Sequence, residues 1–517
     1  MNDLRFKIER ESMCAGVTVL DTSVEQSVEK DFVLPDYCAD IFRILKCIVD
    51  CTVTSQSING SKLTFELGVT ARVLYCSEND SSVKSIVQKM FFTKTAELPD
   101  SCACPSVRIT PRCDYVNCRV ISPRRLDIRG AVTSHIKVVC EQKQSIVTDA
   151  QGCNIQLKKS LVTFPSSRLI ADKRITVIEE LSLPEDKPPV EQVIRTQCTI
   201  EQGEKKIIAG KLITKGDAVV KMLYSCVNTA GENTIEAMRF SIPFSQIIDI
   251  EGIDESYDAD VEIIASGCEM ILPTDEQPKI ECELVMLVNC TAVKYRTADV
   301  VTDAYSTSFE CETKTVGMDL SQQEESISGS CRVSAKAGAD DEIVRVYDVW
   351  AQADNVSLRN DEQSGDAIVS GNVRFFLLAA SSERPVFLEA QQPFEYTVEA
   401  QKLGDTGMSD VQPCVSVSSC DYIMSPSGVE LTAELDICAA ANTSKTKPLI
   451  SDIIVDTQRP KQKDTSCAVK LCRCAQGEDI WDIAKRYSTS VNAIIEENEL
   501  DEQGSAAQTM LLIPLTD

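Results

Sequence analysis

Short alternation of apolar and polar residues runs through roughly the first 455 residues. Every second side chain is apolar in segments such as 63–67 and 71–75, and turn-forming residues separate these segments. A period of two places alternate side chains on one face, which is typical of a β-strand with one buried side. We therefore predict a mainly β protein, with a hairpin across Gly68 and a long strand over 126–139.

The alternating region also repeats itself at a spacing of about 150 residues. Three kinds of landmark recur at that spacing: segment 72–75 at 221–224 and 374–377, an apolar corner ending in Pro123, Pro273 and Pro426, and Leu-Pro-Asp at 34–36 as Leu-Pro-Glu at 183–185. Several landmarks at one nearly constant offset predict three tandem β-rich domains of ordinary size.

The C-terminal stretch changes to a helical period. One apolar stripe is formed by Ile480, Ile483, Ala484 and Tyr487, and a second by Val491, Ile494 and Ile495. Asp479 precedes the first stripe and is a suitable N-cap residue. Alternating segments at 470–474 and 510–514 flank the two predicted helices, so this stretch predicts a small βααβ module.

A polar segment at 458–466 separates the module from the repeats and is interpreted as a flexible tether. The predicted division is 1–165, 166–318 and 319–456 for the three β domains, 457–467 for the linker, and 468–517 for the module.

Charge narrows the range of partners. The 517 residues carry a formal net charge of -27, which disfavours nucleic acid and anionic membrane. The N-terminus has no apolar signal region, and no apolar run approaches the ~18 residues of a membrane span. These features predict a soluble cytoplasmic protein.

The sequence gives little support for a catalytic site or a metal site. Because no signal region is visible, the 24 cysteines are expected to be reduced thiols, and their spacing does not match a zinc ribbon. The single histidine, His135, lies on the polar face of its predicted strand. The sequence contains no phosphate-loop motif and no nucleophile-elbow motif. A glycosidase that uses a pair of carboxylates stays an alternative, because spacing along the sequence does not give spacing in the folded protein. We predict a non-enzyme without a cofactor or a metal.

The C-terminal stretch resembles a LysM domain. The matching residues are Gly477, Ile480, Trp481, Ile483, Ala484, Tyr487, Val491, Ile494, Asn498, Leu500, Ile513 and Pro514. The Pro-Gly-Gln turn of that family is replaced by residues 505–508, and the usual aromatic residue of the first strand is missing. The resemblance implies binding of N-acetylglucosamine polymers in a groove between two loops. Carried over, the groove residues are Gly477, Glu478, Asp479, Ile480, Asn498, Glu499, Leu500 and Asp501. The alternative is a packed module used for protein docking.

A second resemblance covers most of the chain. The opening Leu-Pro-Asp-Tyr-Cys-Ala-Asp-Ile-Phe-Arg-Ile-Leu at 34–45, the β repeats and the terminal module are similar to the SPOCS-domain proteins of clostridia. This resemblance implies a scaffold of spore-coat assembly in the mother-cell cytosol, which binds a coat morphogenetic ATPase at the forespore surface. A peptidoglycan-binding protein of the cell wall and a wall-degrading enzyme are the alternatives.

Overall fold

A computed structural model describes residues 6–77, 82–99, 102–273, 279–338, 342–361, 364, 366–382, 384–398, 412–425, 428–462, 467–473, 478–500 and 510–515. Nearly all of these residues lie in antiparallel β-strands, and two short helices lie close to the C-terminus. The predicted mainly β fold is confirmed.

The first eighteen strands pair in three groups of six, which we name units 1, 2 and 3. Unit 1 comprises β1 (Lys7–Val33), β2 (Arg43–Asn59), β3 (Lys62–Cys76), β4 (Val83–Glu97), β5 (Ala103–Ser122) and β6 (Arg125–Gln151). Its long first strand joins the last hairpin in a sheet of order β1-β6-β5, and its middle strands form a meander of order β2-β3-β4.

Units 2 and 3 repeat this arrangement. Unit 2 comprises β7 (Ile155–Leu181), β8 (Gln192–Ile208), β9 (Lys211–Val227), β10 (Asn233–Asp249), β11 (Asp258–Ile271) and β12 (Ile280–Ser306). Unit 3 comprises β13 (Phe309–Ala337), β14 (Ile343–Asn360), β15 (Ala367–Ser381), β16 (Pro385–Val398), β17 (Gln412–Ser425) and β18 (Gly428–Pro460). The predicted limits at 165/166 and 318/319 fall inside β7 and β13, and the division into domains stays a prediction.

The C-terminal module consists of β19 (Val469–Arg473), α1 (Ile480–Tyr487), α2 (Val491–Glu497) and β20 (Met510–Pro514). β19 and β20 pair antiparallel. The predicted βααβ order is confirmed.

Within unit 1, the two sheets pack face to face around one apolar core. Alternate residues of the central strand β3 point into this core, so Phe65, Leu67 and Val69 are almost fully buried. The predicted hairpin across Gly68 is wrong, because β3 continues straight through this residue. A Cβ atom at Gly68 would lie 2.9 Å from Cγ2 of Thr54 on β2, so this glycine provides room for a side chain of the neighbouring strand and does not form a turn.

The units contact one another through apolar surface. The three meander sheets meet in a buried cluster that contains Leu74, Leu223 and Phe376 at corresponding positions of units 1, 2 and 3. The long strands of the other sheets meet in two further clusters, which include Val147, Val301 and Ile450. Three equivalent contributions to each cluster give the body an approximate threefold arrangement.

Leu223→Ala tests the importance of the meander junction. Leu223 is 1% exposed, and removal of a buried leucine side chain costs about 2–5 kcal/mol, because a cavity remains. We expect a clearly lower midpoint in a urea melt followed by circular dichroism.

Ile247→Ala is the matched control, because Ile247 on β10 is 46% exposed and truncation there should change stability by less than about 1 kcal/mol. Equal melts for the two variants would contradict a stabilising junction between the units.

Candidate functional site

The module is organised around the apolar face of α1. Ile480, Ile483 and Ala484 are buried, as the helical stripe predicted. They pack with Ile494 of α2 and with Leu511 of β20 in one small core. The two loops of the predicted groove, before α1 and after α2, are therefore attached to a packed scaffold.

Asp479 has two roles at the first loop. Its Oδ1 accepts a hydrogen bond of 2.9 Å from the backbone N–H of Trp481, which makes Asp479 the N-cap of α1 as predicted. Its Oδ2 accepts a hydrogen bond from Nζ of Lys158, a residue of β7 in unit 2. The Lys158 ammonium group and the backbone N–H of Trp481 hold the pKa of this carboxyl below its usual range.

The neighbours of Asp479 are also engaged. Glu478 forms an ion pair with Arg486 of α1. Ile480 is 4% exposed and belongs to the module core. Gly477, which the sequence placed in the same loop, lies outside the described residues.

Asn498 connects the second loop to the terminal strand. Its Nδ2 donates to the carbonyl oxygens of Ile494 at 2.8 Å and Leu512 at 2.6 Å, and its Oδ1 accepts from the N–H of Leu512 at 2.7 Å. The side-chain amide thus pairs with β20 as a backbone peptide would. This geometry gives Asn498 a structural role whether or not a ligand binds there.

The rest of the second loop is less constrained. Glu499 is exposed and has a left-handed backbone with φ of 50°. Leu500 packs partly against the module core. Asp501 lies outside the described residues. Assignment of these eight residues to a ligand or partner stays a prediction.

Trp481 anchors the module to unit 2. Its indole ring meets the Tyr305 ring edge to face, with the ring centroids 4.9 Å apart. Its Nε1 donates to Oδ2 of Asp303 at 2.7 Å, and Nζ of Lys485 lies 2.8 Å from both oxygens of the same carboxylate. A tryptophan and a lysine four residues apart on one helix face therefore both form hydrogen bonds with a single aspartate of β12.

Further hydrogen bonds surround this anchor. The Tyr305 hydroxyl donates to the carbonyl oxygen of Thr489 at 2.8 Å. Nζ of Lys461 donates to the carbonyl oxygen of Ser306 at 3.0 Å and to Oγ of Ser488 at 3.2 Å. Residues 457–460 of the predicted linker are the end of β18, so the expectation of a flexible tether is wrong for 458–460. Residues 463–466 of the predicted tether lie outside the described residues.

Asp303 is half-buried under the module. Burial alone raises the pKa of its carboxyl, but hydrogen bonds from Lys485 and Trp481 outweigh burial and hold the pKa below its usual range. The carboxylate is therefore ionised at neutral pH and interacts with Lys485 as a charge.

The sequence pointed to the loops of the module but missed Lys158, Asp303 and Tyr305. These residues lie about 170 to 320 positions before α1, and no local pattern links them to it. One signal was present. Trp481 lies beside the predicted apolar stripe and not in it, so a large aromatic ring was left without a partner inside the module.

A cavity of about 840 Å³ lies where the three units meet. The cations on its walls are already paired with carboxylates: Lys46 with Glu389, Lys221 with Asp348, Arg374 with Asp354, Arg112 with Asp114, and Arg239 with Glu201. Burial raises the pKa of Asp50 on the same wall, although Arg195 and Arg72 act in the opposite direction. Lys46–Glu389 and Lys221–Asp348 join different units, whereas the other three ion pairs lie within one unit.

Four other sequence predictions can be compared with the structure. Within the described ranges, His, Cys, Asp and Glu form no group that could hold a metal ion. Cys102 and Cys140 form a disulfide, so the expectation of reduced thiols is wrong for this pair, whose Cα atoms are brought to 5.2 Å by the pairing of β5 with β6. His135 is half-exposed and bonds through Nε2 to Asp21 at 2.8 Å. In the part of the chain that the structure describes, no helix has the length and apolar character that crossing a membrane requires.

Comparison with known families identifies two parts of the chain. Residues 189–271, which extend across β8 to β11 of unit 2, match the SPOCS domain of SipL. Residues 475–508 match the LysM domain. Both domain types suggested by the sequence are thus confirmed, although the SPOCS match lies in unit 2 and not in unit 1, where the Leu-Pro-Asp opening lies. No curated protein and no solved structure matches the chain.

Asn498→Ala tests the bridge to β20. Loss of the amide leaves the Leu512 N–H and carbonyl groups without their partner, a cost of about 2 kcal/mol. We expect the Leu512 amide to exchange its hydrogen roughly 30-fold faster, measured by NMR or mass spectrometry. Asn492→Ala on the exposed side of α2 is the control, and equal exchange in both variants would show that the bridge contributes nothing.

Acid should release the module from unit 2. Asp303 and Asp479 have lowered pKa values. Their contribution to docking is therefore complete at a pH above the ordinary carboxyl pKa of about 4. It is lost as the pH falls through the lowered pKa values of the two aspartates. Acrylamide quenching of Trp481 should stay constant from pH 7 to pH 5 and rise below about pH 4.

Asp303→Asn provides the comparison, since it removes one of the two titrating groups. At pH 7, acrylamide should quench Trp481 more strongly in this variant than in the wild type. In acid, the two proteins should be quenched to a similar extent. Far-UV circular dichroism verifies that the β body stays folded. The interpretation fails if the two proteins are quenched equally at pH 7.

Proposed function

We propose that this protein is a non-catalytic scaffold of spore-envelope assembly, in which the C-terminal module presents a docking surface to another coat protein. The matches to the SPOCS domain of SipL and to the LysM domain support a sporulation-related protein with a module of the peptidoglycan-binding type. Both are non-catalytic domain types. The implied partner is a coat morphogenetic ATPase at the forespore surface, reached from the mother-cell cytosol.

One observation carries the choice of protein docking over glycan binding. Three polar side chains at the two groove loops are already used inside the protein: Asp479 by Lys158 and α1, Glu478 by Arg486, and Asn498 by Leu512. A sugar binds through several free hydrogen-bonding groups in a concave site. A groove whose groups are engaged favours contact with a partner over the surface around it.

The two helices of the module and the loop after α2 carry exposed acidic side chains. Asp482 of α1, Glu496 and Glu497 of α2, and Glu499 of the following loop are exposed. Such a surface fits a basic patch on a partner, because complementary charge speeds encounter and selects orientation. The body holds this surface in a constant position through Trp481 and Lys485.

Binding of glycan is the second candidate, favoured by the match of residues 475–508 to the LysM domain. Glycan would enter between the loops at 478–480 and 498–500. Asp479 would then have to exchange Lys158 for a sugar hydroxyl group.

Charge reversal with Glu497→Lys and Glu499→Lys tests the docking surface in the full-length protein. A lysine at position 497 lies at the C-terminal end of α2, where a positive charge is favourable, so the module should stay folded. We expect the dissociation constant for the purified morphogenetic ATPase to rise at least about tenfold.

The pair Glu251→Lys and Glu255→Lys is the matched control. It makes the same change of charge at exposed positions of unit 2, between β10 and β11, and should leave capture unchanged. If both double variants and the wild type capture the ATPase equally, the module is not its docking surface. If, in addition, the wild type sediments with purified peptidoglycan, the glycan-binding candidate replaces the proposal.

A further inference from the structure

We propose that Asp303 and Tyr305 of unit 2 form a docking site for the module, which we name the socket. The socket exists because the third of three equivalent ion pairs between units is missing. When the module leaves the socket, its first groove loop becomes free for a partner. The second half of this inference rests on the proposed function, whereas the first half does not.

The same β-bulge occurs near the end of the last strand of each unit. In each case the register skips one hydroxyl residue, whose side chain donates to a carbonyl group of the first strand of the same unit, and an aspartate follows. The hydroxyl–aspartate pairs are Thr148-Asp149, Thr302-Asp303 and Ser451-Asp452. The three aspartates therefore occupy equivalent positions around the threefold arrangement.

Two of these aspartates bind a cation from a neighbouring unit. Asp149 of unit 1 pairs with Lys159 of unit 2 at 2.7 Å, and Asp452 of unit 3 pairs with Arg10 of unit 1 at 2.5 Å. Lys159 and Arg10 occupy one equivalent position, directly after the bulge on the first strand of their units. The ion pairs thus run in a cycle, from each unit to the next.

Unit 3 interrupts this cycle. The residue directly after its bulge is Thr315, which is uncharged. This position holds Arg10 in unit 1 and Lys159 in unit 2. In unit 3 it therefore provides no lysine or arginine that could pair with Asp303 of unit 2.

The module supplies the missing cation. Lys485 bonds to both oxygens of Asp303, and Trp481 donates to one of them. Tyr305, two residues after Asp303, adds an aromatic ring for Trp481. The other units have Gln151 and Ile454 at that position. Among the described residues, unit 2 therefore differs from the other units in combining an aromatic ring with an aspartate whose cation, Lys485, comes from the module.

Docking in the socket also determines the state of the groove. When Trp481 and Lys485 are seated, Lys158 lies against Asp479 of the first groove loop. Departure of the module separates this pair, while the N-cap bond within the module is retained. The body therefore blocks Asp479 as long as the socket is filled.

Thr315→Lys tests the socket by restoring the symmetric arrangement. Thr315 is exposed, and a lysine there should pair with Asp303 as Lys159 pairs with Asp149, in competition with Lys485. We expect acrylamide quenching of Trp481 to increase at least about threefold at pH 7 in the full-length protein, as the undocked state becomes populated. Trp350, the second tryptophan, contributes equally before and after the change because it is buried between the units.

Thr95→Lys is the matched control, since Thr95 is an exposed threonine on the edge strand β4 of unit 1. Asp303→Asn is a second variant, which should also increase quenching by removing the carboxylate. If Thr315→Lys is folded but is quenched like Thr95→Lys, the socket is overturned.

Capture of the morphogenetic ATPase by Thr315→Lys tests the second half. Stronger capture than by the wild type supports release of the groove loop for a partner. Increased quenching with unchanged capture overturns that half. This outcome is distinguishable from failure of the proposed docking surface, in which Glu497→Lys with Glu499→Lys also leaves capture unchanged.

Discussion

Coverage of the long strands is the constraint on which this structure depends. A strand of 27 residues, such as β1, β6, β7 or β12, spans about 90 Å. The meander strands that cover these sheets have 14 to 18 residues, and reach only part of that length. The rest of each long strand still carries apolar residues such as Val147, Val301 and Ile450, which need another surface.

The neighbouring units provide that surface. Because each unit has the same uncovered part, the units cover one another and their equivalent residues converge in shared clusters. The ion pairs Lys159–Asp149 and Arg10–Asp452 also join neighbouring units. Exposed ion pairs contribute little free energy, so the apolar clusters stabilise the assembly.

The module docks on Asp303 and Tyr305, two residues of unit 2. Its small core, built from α1, α2 and the β19–β20 pair, buries little surface and is marginal alone. Contact with Tyr305 enlarges that core, and Asp303 adds a charge-assisted bond to both Trp481 and Lys485. The body thus stabilises the module and at the same time engages Asp479, one of its candidate binding residues, through Lys158. One loop thus couples a structural contact to the proposed binding surface.

Sequence alone determined those features that depend on neighbouring residues. Period-two alternation identified strands, the stripe from Ile480 to Tyr487 identified α1, and Asp479 was recognised as its N-cap, because each signal extends over a few positions. The repeat of about 150 residues was also visible, since similar units use similar patterns. Gly68 was misread as a turn because a glycine that makes room for Thr54 on another strand has the same local signature as one that bends the chain.

Only the tertiary structure decided where the units touch and what the module rests on. The socket combines Asp303, Tyr305 and Lys158 with a helix far along the chain, and its cause is an uncharged Thr315 on a third strand. None of these residues is unusual in its own segment. Their meaning comes from equivalent positions in folded units, because the free energy of an ion pair depends on distance in space, and separation along the chain does not determine that distance.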